Sequence, residues 1–166
     1  SEVLQQKPDI REFIEALEPA DFKMKGGKRG TSDMSNILDT IISQTDDDEV
    51  SIFVSDCIFS PGKKYKAKDN ADEYIVAQQI GIKNHIVEKL AKNPNFSIVV
   101  MRLTSQFNGI YYNKFDDRQP INNDRPFFMW LMGDKSFLNT ILKKVELNQI
   151  KGKGVQNIFM ISRPLT

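Results

Sequence analysis

GTSDMSNILDTIISQTDDDEVSIFVSDCIFSPG, residues Gly30 to Gly62, contains a helix start, an acidic break, an apolar run and a single acid at its end. Met34, Ile37, Leu38, Ile41 and Ile42 recur at helical spacing with Ser and Thr just before them, so a helix is predicted to begin near Thr31 or Ser32. The acidic run Thr45 to Glu49 lacks the alternation and glycine of a calcium-binding EF-hand and reads as a solvated loop. Val50 to Val54 is short, apolar and rich in β-branched residues, the pattern of a buried parallel strand. It runs into Asp56, which poses a chemical question: does that carboxylate hold a metal, a proton or a loop?

Two further runs share the character of Val50 to Val54, namely Phe96 to Leu103 and Pro126 to Gly133. Between the first two, Ile75, Ile82, Ile86 and Leu90 can share a helix face before Pro94 stops it. After the third, Asp134 reads as an N-cap ahead of Phe137, Leu138, Ile141, Leu142 and Val145. Upstream, Asp9 and Glu12 open a short amphipathic helix through Ile10, Phe13, Ile14 and Leu17 that ends at Pro19. Val155 to Ser162 reads as another strand or an edge strand. Strands alternating with helices predict an α/β fold, an open and mostly parallel sheet flanked by helices. The runs Ile98 to Leu103 and Phe127 to Met132 are expected to lie beside Val50 to Val54, all three parallel.

A chain of 166 residues with 40% hydrophobic and 27% charged residues is read as a single α/β domain, residues 1–166. Its 23 Lys and Arg almost cancel its 22 Asp and Glu, so no global field favours a nucleic-acid or anionic-membrane partner. The basic pieces Lys23 to Gly30, Pro61 to Lys68 and Lys151 to Gly154 lack interleaved stacking aromatics and read as solvated loops. The one cysteine, Cys57, leaves no intrachain disulfide. No apolar stretch approaches the roughly 20 residues of a membrane span, and the first ten residues lack a signal-peptide pattern. The segment is therefore expected to be soluble, with its compartment unknown.

In a parallel sheet, ligands gather outside the carboxyl ends of the strands. Those ends would be Ser55, Asp56 and Cys57, then Thr104 and Ser105, then Gly133 and Asp134. His85, the only histidine, falls on the polar side of its helix and reads as a surface residue. Cys57 beside Asp56 is a poor thiolate, because the carboxylate disfavours a second negative charge. The order of a P-loop, a GxSxG elbow or a GxGxxG turn does not occur. What remains is oxygen chemistry: a hydroxyl from Thr31, Ser32 or Ser35 with the Asp56 carboxylate, a set suited to Mg²⁺ but too small for a tight site. The plainer reading makes Thr31 or Ser32 a helix cap and Asp56 a turn cap. The connection beyond Leu103 holds Phe107, Tyr111, Tyr112 and Phe115, which form either a folded satellite of the core or a recognition surface. On the second reading Ser105, Tyr111 and Tyr112 are the candidate binding residues.

RGTSDMSNILDTI followed by DEVSIFVSDCIFSPG resembles the middle of von Willebrand factor A-like domains, where a Gly-Thr loop opens a helix and the next strand ends in a Ser-Asp-Gly-like turn. The resemblance implies a Rossmann-like three-layer sandwich. It maps the family's metal-ion-dependent adhesion site onto Thr31 and Asp56. The family's Asp-x-Ser-x-Ser motif has no counterpart here and Cys57 stands for the usual Gly, so the implied metal site is degenerate, with Mg²⁺ bound weakly or not at all. Its first strand, the one that carries that motif, has no counterpart before Thr31 either. The chain is thus expected to be a piece of a longer polypeptide, with the gap covered by Val155 to Ser162 folding back beside Val50 to Val54, which is favoured, or by a second copy of the chain pairing edge to edge. The function implied is non-enzymatic: binding another protein, or other domains of the same polypeptide, through the loops at the strand tips. The alternative is a metal-assisted hydrolase or phosphotransferase on a related sheet with Asp56 central.

Overall fold

Phe96 to Met101 is buried at every position. Successive side chains of a strand point to opposite faces, so unbroken burial requires cover on both faces of the sheet. In the computed structural model, which describes residues 33–62, 70–115, 117–144 and 155–163, the cover comes from three helices. The described elements run α1 (Met34–Gln44), β1 (Val50–Ser55), α2 (Ala71–Lys92), β2 (Phe96–Tyr112), β3 (Arg118–Asp134), α3 (Lys135–Lys144) and β4 (Val155–Ser162). Leu38 and Ile42 of α1 and Ile86 of α2 pack on Phe96, Ile98, Val100 and Met132. On the other face Leu138 of α3 packs among Val99, Met101, Leu103 and Leu131.

The four strands form one sheet in the order β1-β3-β2-β4, and every pairing is antiparallel. This corrects the expectation of an open, mostly parallel sheet. The three predicted core strands do lie side by side, but β3 separates β1 from β2 and opposes both. The cause of the misreading is physical. A continuous apolar run reports burial on both faces, and parallel direction is only one way to obtain it. Here each helical crossover skips a strand: α2 joins β1 to β2 across β3, and α3 joins β3 to β4 across β2. The two crossovers start from strands of opposite direction and move the same way across the sheet. Connections of a common hand therefore put α2 and α3 on opposite faces.

A second correction concerns β4, which has the predicted bounds but pairs with β2, from Ser97↔Ser162 to Leu103↔Val155, at the edge away from β1. It does not cover β1, and among the described residues no strand pairs along the outer side of β1. The expectation of a missing first strand falls on residues 1–30, outside the described residues, as does the short helix read from Asp9 to Leu17.

The long connection predicted after Leu103 is also strand. β2 and β3 are 17 residues each and pair along their whole length, from Phe96↔Asp134 to Tyr112↔Arg118. At the turn, Asn113 Oδ1 accepts the Phe115 and Asp117 N–H groups at 2.9 and 3.0 Å. Pro120 and Pro126 are tolerated because they lie beyond the last β1 pair, Ser55↔Phe128, where β3 has no neighbour on its outer side among the described residues. The far end is fastened as well: the Lys114 carbonyl accepts from Gly62 N–H at 3.3 Å and the Ser60 hydroxyl at 3.2 Å, and its ammonium lies 3.6 Å from Asp72 at the start of α2.

Helix α1 is capped by Asp33, whose carboxylate accepts the Asn36 N–H at 3.1 Å, and it docks on α2 through one buried and one half-exposed polar contact. Gln78 Oε1 accepts the Ser35 N–H at 2.8 Å, and His85 Nδ1 lies 2.9 Å from Asp39. Gly81 permits this approach, since a Cβ there would collide with Ser35 Oγ and crowd its Cβ at 3.2 Å. In an exposed helix, replacing Gly with Ala stabilises by about 1 kcal/mol. Gly81→Ala should do the opposite, lowering stability by about 1–3 kcal/mol through overpacking. Urea denaturation checks the sign, and adding Ser35→Ala should recover most of the loss.

Candidate functional site

The Asp56 carboxylate holds a loop. It is exposed just past β1, and its Oδ1 accepts the Ile58 N–H at 3.3 Å, while Ser55 Oγ accepts the Cys57 N–H at 3.0 Å. Two successive side-chain-to-backbone bonds of this kind shape a turn. Between them Cys57 takes φ 53, the left-handed region where a glycine carries no Cβ penalty. Thr31 lies outside the described residues, so its proximity to Asp56 is not part of the geometry. Among the described residues no group of three or more His, Cys, Asp or Glu is placed to hold a metal.

The candidate binding residues divide between two surfaces. Ser105 and Tyr111 have the same parity along β2 and point to one side of the hairpin, whereas Tyr112 points to the other. Ser105 is exposed, with its hydroxyl donating at 3.4 Å to the Gln106 carbonyl. Tyr111 is half-buried under the Arg125 guanidinium, 4.1 Å from the ring centroid, and Arg118 stands 6.0 Å from the ring of the more exposed Tyr112. Each tyrosine thus has a cationic neighbour of its own. The expected single patch at the strand tips does not assemble, because in an antiparallel sheet the carboxyl ends of the strands do not share one edge.

Among the residues that do converge, Met34, Leu38, Ile82, Ile86 and Leu90 carry helical spacing in the sequence but no motif of a site. A groove of about 470 Å³ opens between α1, α2 and the sheet, a size within the range of ligand sites. Met34 and Leu38 of α1 form one wall, and Ile82, Ile86, Val87 and Leu90 of α2 the other. Trp130 of β3 and Ile161 of β4 contribute from the sheet, and Cys57 and Phe59 from the turn after β1. Gln79 and Lys83, both exposed, supply the polar side chains. Burial pushes the Cys57 thiol up from its ordinary pKa; Trp130 and Ser55 beside it oppose that rise, and Asp56 adds to it. A neutral thiol suits an apolar wall. The Trp130 indole N–H is buried beside the thiol, and its influence there counters the rise. The groove is therefore mainly apolar, with Gln79 and Lys83 as its polar side chains.

One signal in the sequence pointed here: α2 carries more apolar residues than one buried face requires. Val76, Ile80 and Val87 are each more than half exposed. Comparison of the chain with protein-family models, curated proteins and solved structures finds no match, so the functional reading rests on this geometry.

For the turn, Asp56→Ala should lower stability by about 0.5–1.5 kcal/mol, the scale of one hydrogen bond, whereas Asp56→Asn keeps an acceptor and should stay close to the parent. Chemical denaturation of the three proteins checks this ordering. If Asp56→Asn loses as much as Asp56→Ala, the charge itself matters and the turn account fails.

Proposed function

We propose that the chain is a non-enzymatic protein-binding domain whose contact surface is the apolar groove between α1, α2 and the Trp130 side of the sheet. The observation that carries this reading is the groove itself: open, lined mainly by apolar side chains, and walled by the exposed Val87 of α2. A partner that inserts apolar side chains matches that chemistry, burying surface worth about 25 cal/mol per Å². Exposed apolar residues along α2 extend the surface past the groove rim. The hydrolase alternative needs further acids beside Asp56, and no described feature favours it.

Trp130 is the only tryptophan, so its fluorescence reports on this site alone. Titration with anilinonaphthalenesulfonate should quench Trp130 by energy transfer as the probe enters the groove. Val87→Glu, at a half-exposed wall position, should weaken that binding at least tenfold, about 1.4 kcal/mol, with the melting temperature unchanged. A photo-crosslinking residue at position 87 should then give a partner adduct in lysate of the source cells that the probe displaces, and the same residue at Arg102 should not. Probe binding that leaves Trp130 undisturbed, or adducts insensitive to the probe, would overturn the reading.

A further inference from the structure

Among the described residues β4 is an edge strand with little protection: the one irregularity in its pairing with β2 lies at its first residues, between the Arg102↔Asn157 and Leu103↔Val155 pairs. Exposed edges present unpaired N–H and C=O groups, and soluble proteins blunt them with charges, prolines, bulges or a covering element. VQNIFMIS contains no charged residue and no proline, and among the described residues no strand pairs along its outer side. At its centre Ile158, Phe159 and Met160 are 45%, 56% and 48% exposed. The β1 edge differs in being shorter, six residues against eight.

We propose that β4 is the interface between two copies of this chain, paired antiparallel about a two-fold axis through Phe159 and extending the two sheets into one. Symmetry selects the register. Residues directly opposite in an antiparallel pair share a face, so a two-fold axis normal to the sheet must pass through a residue position rather than between two. With Phe159 on the axis it faces its own copy, and Ile158 faces Met160, so all three exposed apolar residues meet apolar partners. With Ile158 on the axis, Asn157 would face Phe159 and Gln156 would face Met160. With Met160 on the axis Ile158 would face Ser162, so only the Phe159 register gives all three exposed residues apolar partners, and it leaves Asn157 facing Ile161. Since the strand carries no charge, self-pairing brings no like charges face to face within it. Ile158 and Met160 of both copies would form one apolar strip on the face that holds Met101 and Val99. An eight-residue edge is a small interface, so the dimer is expected to depend on concentration.

Sedimentation velocity over a concentration series should show the mass rising from the 19.0 kDa monomer to twice that value. Phe159→Lys, which sets two ammonium groups against each other on the axis, should hold the protein at monomer mass with an unchanged melting temperature. Ile52→Lys on the opposite edge should leave dimerisation intact. The register is read by cross-linking in a Cys57→Ser background with diamide as oxidant. Directly opposed Cα atoms roughly 4.5–5.5 Å apart suit a disulfide, so Phe159→Cys should cross-link rapidly and Ile158→Cys slowly. A monomer at all concentrations, a dimer that survives Phe159→Lys, or preferential cross-linking of Ile158→Cys would each overturn the proposal.

Discussion

The antiparallel register of β2 and β3 is the constraint on which the other elements depend. Both outer strands attach to this hairpin, β1 along the proximal half of β3 and β4 along the proximal half of β2. Both apolar clusters are built on its side chains, with even positions of β2 facing α1 and α2 and odd positions facing α3. Since burying one large apolar side chain stabilises by about 1.5–3 kcal/mol, a slip of one residue would exchange the two faces and disrupt both clusters together. The distal half has thinner cover, and its anchors are polar: the Asn113 turn, the Ser60 and Gly62 bonds to Lys114, and the Lys114–Asp72 pair.

The groove is a consequence of the same frame. Trp130 stands directly opposite Val100 and Phe53 in the register, so its ring belongs to the helix-covered face. The turn after β1 brings Cys57 to that side because its φ is left-handed, and the dock of α1 on α2 around Gly81 sets the separation of the two helical walls. The binding surface is thus assembled from α1, the β1 turn, α2, β3 and β4. None of these segments carries a motif that announces it.

What could be read from residues alone followed from local chemistry. Val155–Ser162 has the predicted bounds, Val50–Ser55 differs by one residue, α2 stops just before Pro94, and Asp134 caps α3 by accepting the Phe137 N–H at 3.1 Å. The reading of Asp56 as a turn cap matches its bond to Ile58. Direction and pairing were not legible, because apolar runs record burial and not which neighbour does the burying. The distal hairpin is hidden for a related reason: Asn108, Gly109, Pro120, Asn122 and Asn123 are turn formers, acceptable in a largely exposed ribbon with no strand on its outer edge among the described residues. Two alternating segments flanking Asn113 to Asp117 were the available sign of a hairpin.

The central claim is the uninterrupted β2–β3 register. Nuclear Overhauser spectroscopy on labelled protein tests it through cross-strand backbone contacts. The account predicts a continuous series of cross-peaks between register partners from Ser97–Gly133 through Ser105–Arg125 to Tyr111–Gln119. Contacts that stop at Leu103–Phe127, or direct contacts between Val50–Ser55 and Phe96–Leu103 in a parallel pattern, would contradict it.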